Sequence, residues 1–199
     1  MSMPAPPRVR CGDVELRLVT PRAAHQLYAL ARDPAVSAQL QWSAHRSVDD
    51  SLEYVHDARS LWQQGRAWLP GIFDHACEQL VGCTGISSID RPNRRAEVGT
   101  WIGVPYQGRG FNLSSKAAVA TFAFEHLDIA RLEFLTRVDN ERSIAAMRRL
   151  PGIREEGVLG RRIWRDGVGH DAVMFALLAE EFDPAAWPAV EVLNAATGP

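Results

Sequence analysis

Cysteine is scarce in this chain. Cys11, Cys77 and Cys83 are the three among 199 residues, an odd number without paired spacing, which excludes a disulfide scaffold and a thiolate metal centre. A reduced, cytoplasmic protein is the expected setting. Neither sign of charge is in excess. The net is −2, so the chain has no general pull towards nucleic acid or an acidic membrane, and neither is expected as a partner. Arginines gather at Arg91, Arg94 and Arg95, at Arg148 and Arg149, and at Arg161 and Arg162, but acidic residues offset them and they read as solvated surface. Apolar runs approaching the ~20 residues of a membrane span are missing, as is an apolar signal region behind Met1. None of the six histidines joins a metal-ligating pattern, so no metal is expected.

What is present is a soluble, globular composition, 46% apolar and 23% charged, long enough for one domain with a sizeable core. Val14–Val19 alternates with period two, as a half-buried strand does. Thr20 and Pro21 start a helix carrying Ala24, Leu27, Tyr28 and Ala31 on one side. Ser47 and Asp50 form a capping-box pattern ahead of Val48, Leu52, Val55, Ala58 and Trp62 at helical spacing. Between these helices, Trp42 and His45 either wall a substrate site or belong to the core. Ala67–Phe73, Leu80–Ile89 and Ala96–Val104 read as three strands of an antiparallel meander, the last one buried. A helix with Leu113, Ala117, Ala120, Phe124 and Leu127 on one face follows, then a strand (Leu132–Val138), a helix (Asn140–Leu150) and two strands (Val158–Trp164 and Ala172–Leu178). The order is mixed α/β on one central sheet. Residues 1–13 are expected to be a flexible lead-in, 14–182 a single domain, and 183–199 a C-terminal tail.

The residues Gln107, Gly108, Arg109, Gly110, Phe111 and Asn112 lie between the third meander strand and the long helix. A strand, a glycine turn and a helix start aim free backbone N–H groups at one point, which suits a phosphate. A Walker-type loop would need Lys-Ser or Lys-Thr at the helix start, and none is there. A dinucleotide fingerprint would need a glycine where Leu113 stands, and a parallel βαβ setting rather than a meander. The Gln/Arg-x-x-Gly-x-Gly/Ala turn of acyl-CoA-dependent N-acyltransferases fits at Gln107 and Gly110, with Asn112 where a small residue is commoner. An ordinary helix-capping glycine turn is the plainer alternative.

The chain resembles the GNAT superfamily of N-acetyltransferases, and within it the Rim-type branch that includes ribosomal-protein N-terminal acetyltransferases. The resemblance runs from about Val14 to Phe182 and is sharpest at Ala96–Ile102, the turn, Phe122–Glu125, Asn140–Ser143 and Glu155–Leu159. It implies the GNAT acyl-CoA N-acyltransferase fold, a central mixed and mostly antiparallel sheet flanked by helices. It also implies acetyl-CoA as acyl-donor co-substrate and an amine acceptor; a homodimer is compatible with it. Two departures stand out. Ser114 replaces the acidic residue usual in that branch, and Leu150-Pro151-Gly152-Ile153 replaces the usual Leu-Gly-Phe.

By the same resemblance, Trp101, Ile102 and Val104 contact the pantetheine arm or polarise the thioester carbonyl. The amides of Gly108 to Asn112 take the pyrophosphate, behind Gln107 at the head of the motif. Arg109 or Lys116 adds charge there, the alternative being solvated side chains. Asn140 bonds the cofactor arm and Ser143 protonates the leaving thiolate. The plainer reading makes Asn140 a helix N-cap and Ser143 a first-turn polar residue. The tyrosines, Tyr28, Tyr54 and Tyr106, are all outside that helix, which favours Ser143 as the acid. Glu97 is the candidate general base, its alternative an ion pair with Arg94 or Arg95. With no cysteine near the turn in sequence, the amine attacks the thioester directly. The expected activity is an N-acetyltransferase acting on a primary amine, a protein or peptide N-terminus among them. A small-molecule amine acetyltransferase and a non-catalytic acyl-CoA-binding module are the alternatives.

Overall fold

Val14–Arg17 (β2) forms where the alternation places a strand, but it does not begin the fold. Arg8–Cys11 (β1) pairs with it antiparallel, Val9 against Leu16 and Cys11 against Val14. The structure, a computed structural model, describes residues 5–193. Both ends of the expected domain therefore need correcting. The lead-in contributes β1, and the tail contributes Val190–Leu193 (β9), which pairs with β1 from Arg8↔Leu193 to Cys11↔Val190. The reason is burial: Val9 and Cys11 are at most 1% exposed and belong to the main core cluster. Strands of four residues give too short a period to be read from sequence. The outermost residues of the lead-in and tail, 1–4 and 194–199, lie outside the described residues.

The remaining strands are β3 (Gly71–Asp74), β4 (Gln79–Asp90), β5 (Arg95–Ile102), β6 (Arg131–Arg137), β7 (Arg154–Arg165) and β8 (Val168–Leu178). They form one sheet in the order β7-β8-β6-β5-β4-β3-β2-β1-β9. Every neighbouring pair is antiparallel except β5 and β6, which are parallel. This is the mixed, mostly antiparallel sheet that the resemblance implies.

On the other side of the chain's early half, α1 (Ala24–Ala31), the short α2 (Pro34–Ser37) and α3 (Val48–Gln63) precede the meander. The capping box at α3 is complete. The Asp50 amide donates to Ser47 Oγ, and the Asp50 carboxylate accepts from the Ser47 amide. Leu27 of α1 and Val55 of α3 pack on a smaller cluster with Val19, Phe73, Leu80 and Cys83.

The helix α4 (Phe111–His126) is buried nearly all round, from Ser115 to Ala123 without a break. Its alanines let it lie close to the sheet, and Trp68, wholly buried, meets Phe122 at a tilt, the ring centroids 4.5 Å apart. Leu113, expected on the inward face, is instead 40% exposed at the open first turn. The short helix α5 (Glu141–Met147) packs Ile144 and Met147 into the same cluster as α4. Core packing of this kind fixes the start of α4 and the start of α5 relative to the end of β5.

Candidate functional site at a fork in the sheet

β5 and β6 pair only at Arg95↔Arg131, Ala96↔Leu132 and Glu97↔Glu133. β5 then runs on to Ile102 and β6 to Arg137 with no pairing between them, while β4 keeps pairing with β5 as far as Ile102. One edge of Val98–Ile102 therefore has no strand partner. It is a row of N–H and C=O groups, of which the Ile102 carbonyl is taken by the Gln107 side chain, and it costs stability unless something bonds to it. This corrects the expectation of a buried strand. Val98 is buried, but Gly99 is exposed and Thr100, Trp101 and Ile102 are half-buried, because the fork opens at that point. Val104, on a 3-10 turn, is 43% exposed.

The glycine turn lies at the far end of this edge. Gly108 and Gly110 hold φ of +80° and +87°, and Gly110 is the left-handed N-cap of α4 with no side-chain cap bond. Left-handed residues turn successive amides to one side. The amides of Gly108, Arg109, Gly110, Phe111 and Asn112 find no acceptor among the described residues, whereas those of Leu113 and Ser114 return to the Gly110 carbonyl. Five open donors at the start of a 16-residue helix suit a phosphate group.

The side chains of the turn behave differently from its backbone. Phe111 is 5% exposed and belongs to the core. Arg109 stacks on Tyr106 and Phe111 and lies 3.8 Å from Asp74. Lys116, 7% exposed, donates to Asn112 Oδ1 at 2.6 Å, and burial pulls its ammonium down to about 8. Gln107 folds back: its Nε2 donates to the Ile102 carbonyl at 2.9 Å. Its Oε1 accepts from Arg142 Nη1 at 2.5 Å, so the turn, the end of β5 and the start of α5 are tied at one place.

Across the fork, Asn140 is the N-cap of α5 and accepts from the Ser143 amide at 3.1 Å. The plainer reading of Asn140 thus holds for its Oδ1. The Ser143 hydroxyl has no partner among the described residues and is half-exposed.

Glu97, the last β5 residue paired with β6, is neither on Arg94 nor on Arg95. Arg94 pairs with Asp128 and Arg95 with Asp90 and Glu133. The partner of Glu97 is Arg162, at 3.2 Å. Arg162 reaches it because β7 bulges. The register slips between Leu159 and Ile163, Arg161 takes φ +48°, and the Arg161 amide donates to Asp171 Oδ1. The hairpin tip is then tethered to α2, with Arg165 Nη1 donating to the carbonyls of Ser37 and Leu40.

On the face of β5 carrying Glu97, the next residues are Gly99 and Trp101. A Cβ added at Gly99 would meet nothing within 4 Å. Trp101 meets Trp42 edge-on at 5.5 Å, and Trp42 meets His45 at 5.7 Å. Trp42 is therefore a half-buried wall residue and not a core tryptophan. A notch floored by Gly99 and bounded by Glu97, Trp101 and Trp42 results. Beyond it, residues His45, Arg46, Asp50, Glu53, Tyr54 and Asp57 line a surface depression of about 380 Å³. Sequence reasoning missed Arg142, Arg162 and Gly99. Arg142 lay inside the Asn140–Ser143 block, but Arg162 depends on a bulge that leaves no mark in the sequence.

The arrangement can hold an extended, amide-bearing arm along the β5 edge and a phosphate at the turn. The family model described as "Acetyltransferase (GNAT) domain" matches residues 13–151. The "Putative ribosomal N-acetyltransferase YdaF" of Bacillus subtilis (strain 168) is 34% identical over 177 residues, 85% of this chain and 93% of that protein. The structure of "RimL- Ribosomal L7/L12 alpha-N-protein acetyltransferase" matches with a TM-score of 0.76 at 26% identity, covering 89% of this chain and 94% of that one. The microcin C7 self-immunity acetyltransferase MccE, solved in complex with acetyl-CoA and AMP, shares the fold. Its TM-score is 0.76 at 23% identity, over 83% of this chain and 92% of that one.

Proposed function

Because the chain belongs to the GNAT acetyltransferase family, it is an enzyme that moves an acetyl group from acetyl-CoA to an amine, and we propose that this amine is the N-terminus of a protein or peptide. The observation that carries the proposal is the pairing of Glu97 with Arg162 beside the open notch over Gly99. A base already engaged by a guanidinium suits an acceptor that needs little help. An α-amine, with pKa ~8, is partly neutral at pH 7, whereas a lysine or polyamine nitrogen at ~10 is not. The likeness to YdaF and RimL, named for ribosomal substrates, points the same way.

In this reading, the open edge of Val98–Ile102 bonds the amides of the pantetheine arm, with Trp101, Ile102 and Val104 beside it. The amides of Gly108, Arg109, Gly110, Phe111 and Asn112 take the diphosphate. Gln107, Lys116 and Asn140 hold that frame: Gln107 on the Ile102 carbonyl, Lys116 on Asn112, and Asn140 on the first turn of α5. The amine enters over Gly99, loses its proton towards Glu97 and attacks the thioester carbonyl. The tetrahedral intermediate collapses with loss of the thiolate, which takes a proton from the Ser143 hydroxyl as the serine takes in turn the remaining proton shed by the nitrogen. Holding both reactants on one rigid sheet supplies much of the rate. The free thiols of Cys11, Cys77 and Cys83 fit a cytoplasmic setting.

One observation favours a second reading. The depression bearing Asp50, Glu53 and Asp57 would suit a small polycationic amine. A thiol-release assay with acetyl-CoA separates the two. The panel holds free peptides, the same peptides with blocked N-termini, spermidine and an aminoglycoside. Turnover of free peptides and none of blocked ones is expected. Turnover of small polyamines alone would replace the first reading with the second. CoA binding without turnover of any acceptor would make the chain a non-catalytic module.

A further inference from the structure

We propose that Arg142 binds the diphosphate of the acyl donor, acting with the glycine turn as the one cationic side chain aimed at it; the proposal rests on the donor site described above. Three observations lead there. The charges expected at the turn are both committed elsewhere. Lys116 is buried and bonded to the Asn112 side chain, and Arg109 lies over Tyr106 and Phe111 and turns towards Asp74. The five open amides of Gly108–Asn112 therefore lack a cation beside them within the turn's own side chains.

Arg142 supplies one from across the fork. It stands on the first turn of α5, two residues after the N-cap, and its Nη1 lies 2.5 Å from Gln107 Oε1. Gln107 is the residue immediately before the first of those amides. Its other end is held by the Ile102 carbonyl, so Gln107 is oriented from both sides and presents its oxygen to Arg142. A guanidinium has five N–H donors in a fixed fork. One is used on Gln107, and no other partner for Arg142 exists among the described residues. Among the described residues no carboxylate competes for it, whereas Arg154, Arg162 and Arg165 of the neighbouring hairpin each have a carboxylate partner. Planar donors beside a nest of amides are well matched to a diphosphate.

The choice of the diphosphate over the other phosphate of CoA follows from position. Arg142 is anchored to the residue that opens the turn, between the β5 edge and the amides. An arm lying along β5 would reach its diphosphate there, before the nucleotide end. Gln107 is then a positioning residue, and Arg142 the group that touches the ligand.

The test compares dissociation constants of CoA, 3′-dephospho-CoA and pantetheine for the wild type, Arg142→Ala and Arg142→Lys. Calorimetry serves the first two ligands and ligand-observed NMR the third. Arg142→Ala should weaken CoA and 3′-dephospho-CoA alike, by roughly ten- to a hundredfold, the size of one charge-assisted bond. Pantetheine should stay within about twofold, and Arg142→Lys should recover part of the loss. Equal weakening of all three ligands would mean that Arg142 only shapes the fork, and would overturn the proposal. A loss confined to CoA would move Arg142 to the 3′-phosphate and overturn it too, as would no loss. A wild type that binds no CoA would instead overturn the reading of the donor site itself.

Discussion

The two sides of the forked sheet are built in opposite ways. The donor side is made chiefly of backbone, with Arg142 as its proposed side-chain contact: an unpaired edge of β5 and five consecutive amides set by two left-handed glycines. Its backbone parts lie within fifteen residues of sequence, between Val98 and Asn112. The acceptor side is made of side chains from distant segments: Trp42 from the loop after α2, Glu97 and Trp101 from β5, and Arg162 and Arg165 from the β7–β8 hairpin. A backbone site binds what every member of a family shares, since almost any side chain leaves it intact. A side-chain site can change with one substitution, and a fold can so keep one donor while exchanging acceptors.

If the contrast is right, the largest loss of donor binding comes from the smallest backbone change. Gly110→Val would be held at φ +87° with nothing to collide with, since an added Cβ meets no atom within 4 Å. The strain of a β-branched residue in that conformation, at least ~1–2 kcal/mol, must then be relieved by turning the peptide. Misaimed amides should weaken CoA binding by about a hundredfold in calorimetry, while far-ultraviolet circular dichroism stays unchanged. CoA affinity within threefold of the wild type would show that the turn is an ordinary cap.

Next in size is Glu97→Gln, which should lower kcat by ~10²-fold and flatten its pH dependence, with CoA affinity unaltered. Arg162→Ala separates the base from its ion pair. It removes the pair and leaves the carboxylate, so it should keep most of kcat. Equal losses in both variants would reduce Glu97 to a structural partner of the hairpin.

Legibility follows the same division. The turn, the long α4 and the capping box of α3 could be read from the sequence because each is local: glycines at two positions, a helical apolar stripe, a serine three before an aspartate. The fork could not be read, because nothing in Val98–Ile102 says where β6 stops pairing. β1 and β9 escaped because four residues carry almost no period, and each is held by the other across nearly the whole chain. Arg162 escaped for a different reason: its reach to Glu97 is set by a bulge whose left-handed residue is an arginine, Arg161, and not a glycine.

A gentler test of the acceptor notch is Gly99→Val. Valine suits a strand better than glycine, and its side chain would enter space in which no protein atom lies within 4 Å of the Cβ. Stability and CoA affinity should hold or rise slightly, while acceptor kcat/KM falls about tenfold. Unchanged acceptor kinetics would place the amine elsewhere and leave the donor side untouched.

The smallest effect on turnover should come from Lys116, the single lysine of the chain, where the donor side does depend on a side chain. Burial lowers its pKa from 10.5 to about 8. The unfolded chain thus holds this proton more tightly than the folded one. Between pH 8 and pH 10.5 the unfolded state binds more protons, so in that window this group makes stability rise with pH. Below about pH 8 both states are protonated and the cost is constant, at most ~3 kcal/mol. Lys116→Met should remove that cost and lose the charged bond to Asn112, worth ~1.5–3 kcal/mol. At pH 7 the variant should melt up to ~6 °C higher, and its advantage should shrink as the pH is raised towards 10. CoA affinity should change by no more than a few-fold, because the Asn112 amide stays in place when its side chain is released. A variant that melts lower than the wild type at pH 7 would mean that the ammonium supports the turn through Asn112 more strongly than burial opposes it. The donor side would then rest on a side chain as much as the acceptor side does.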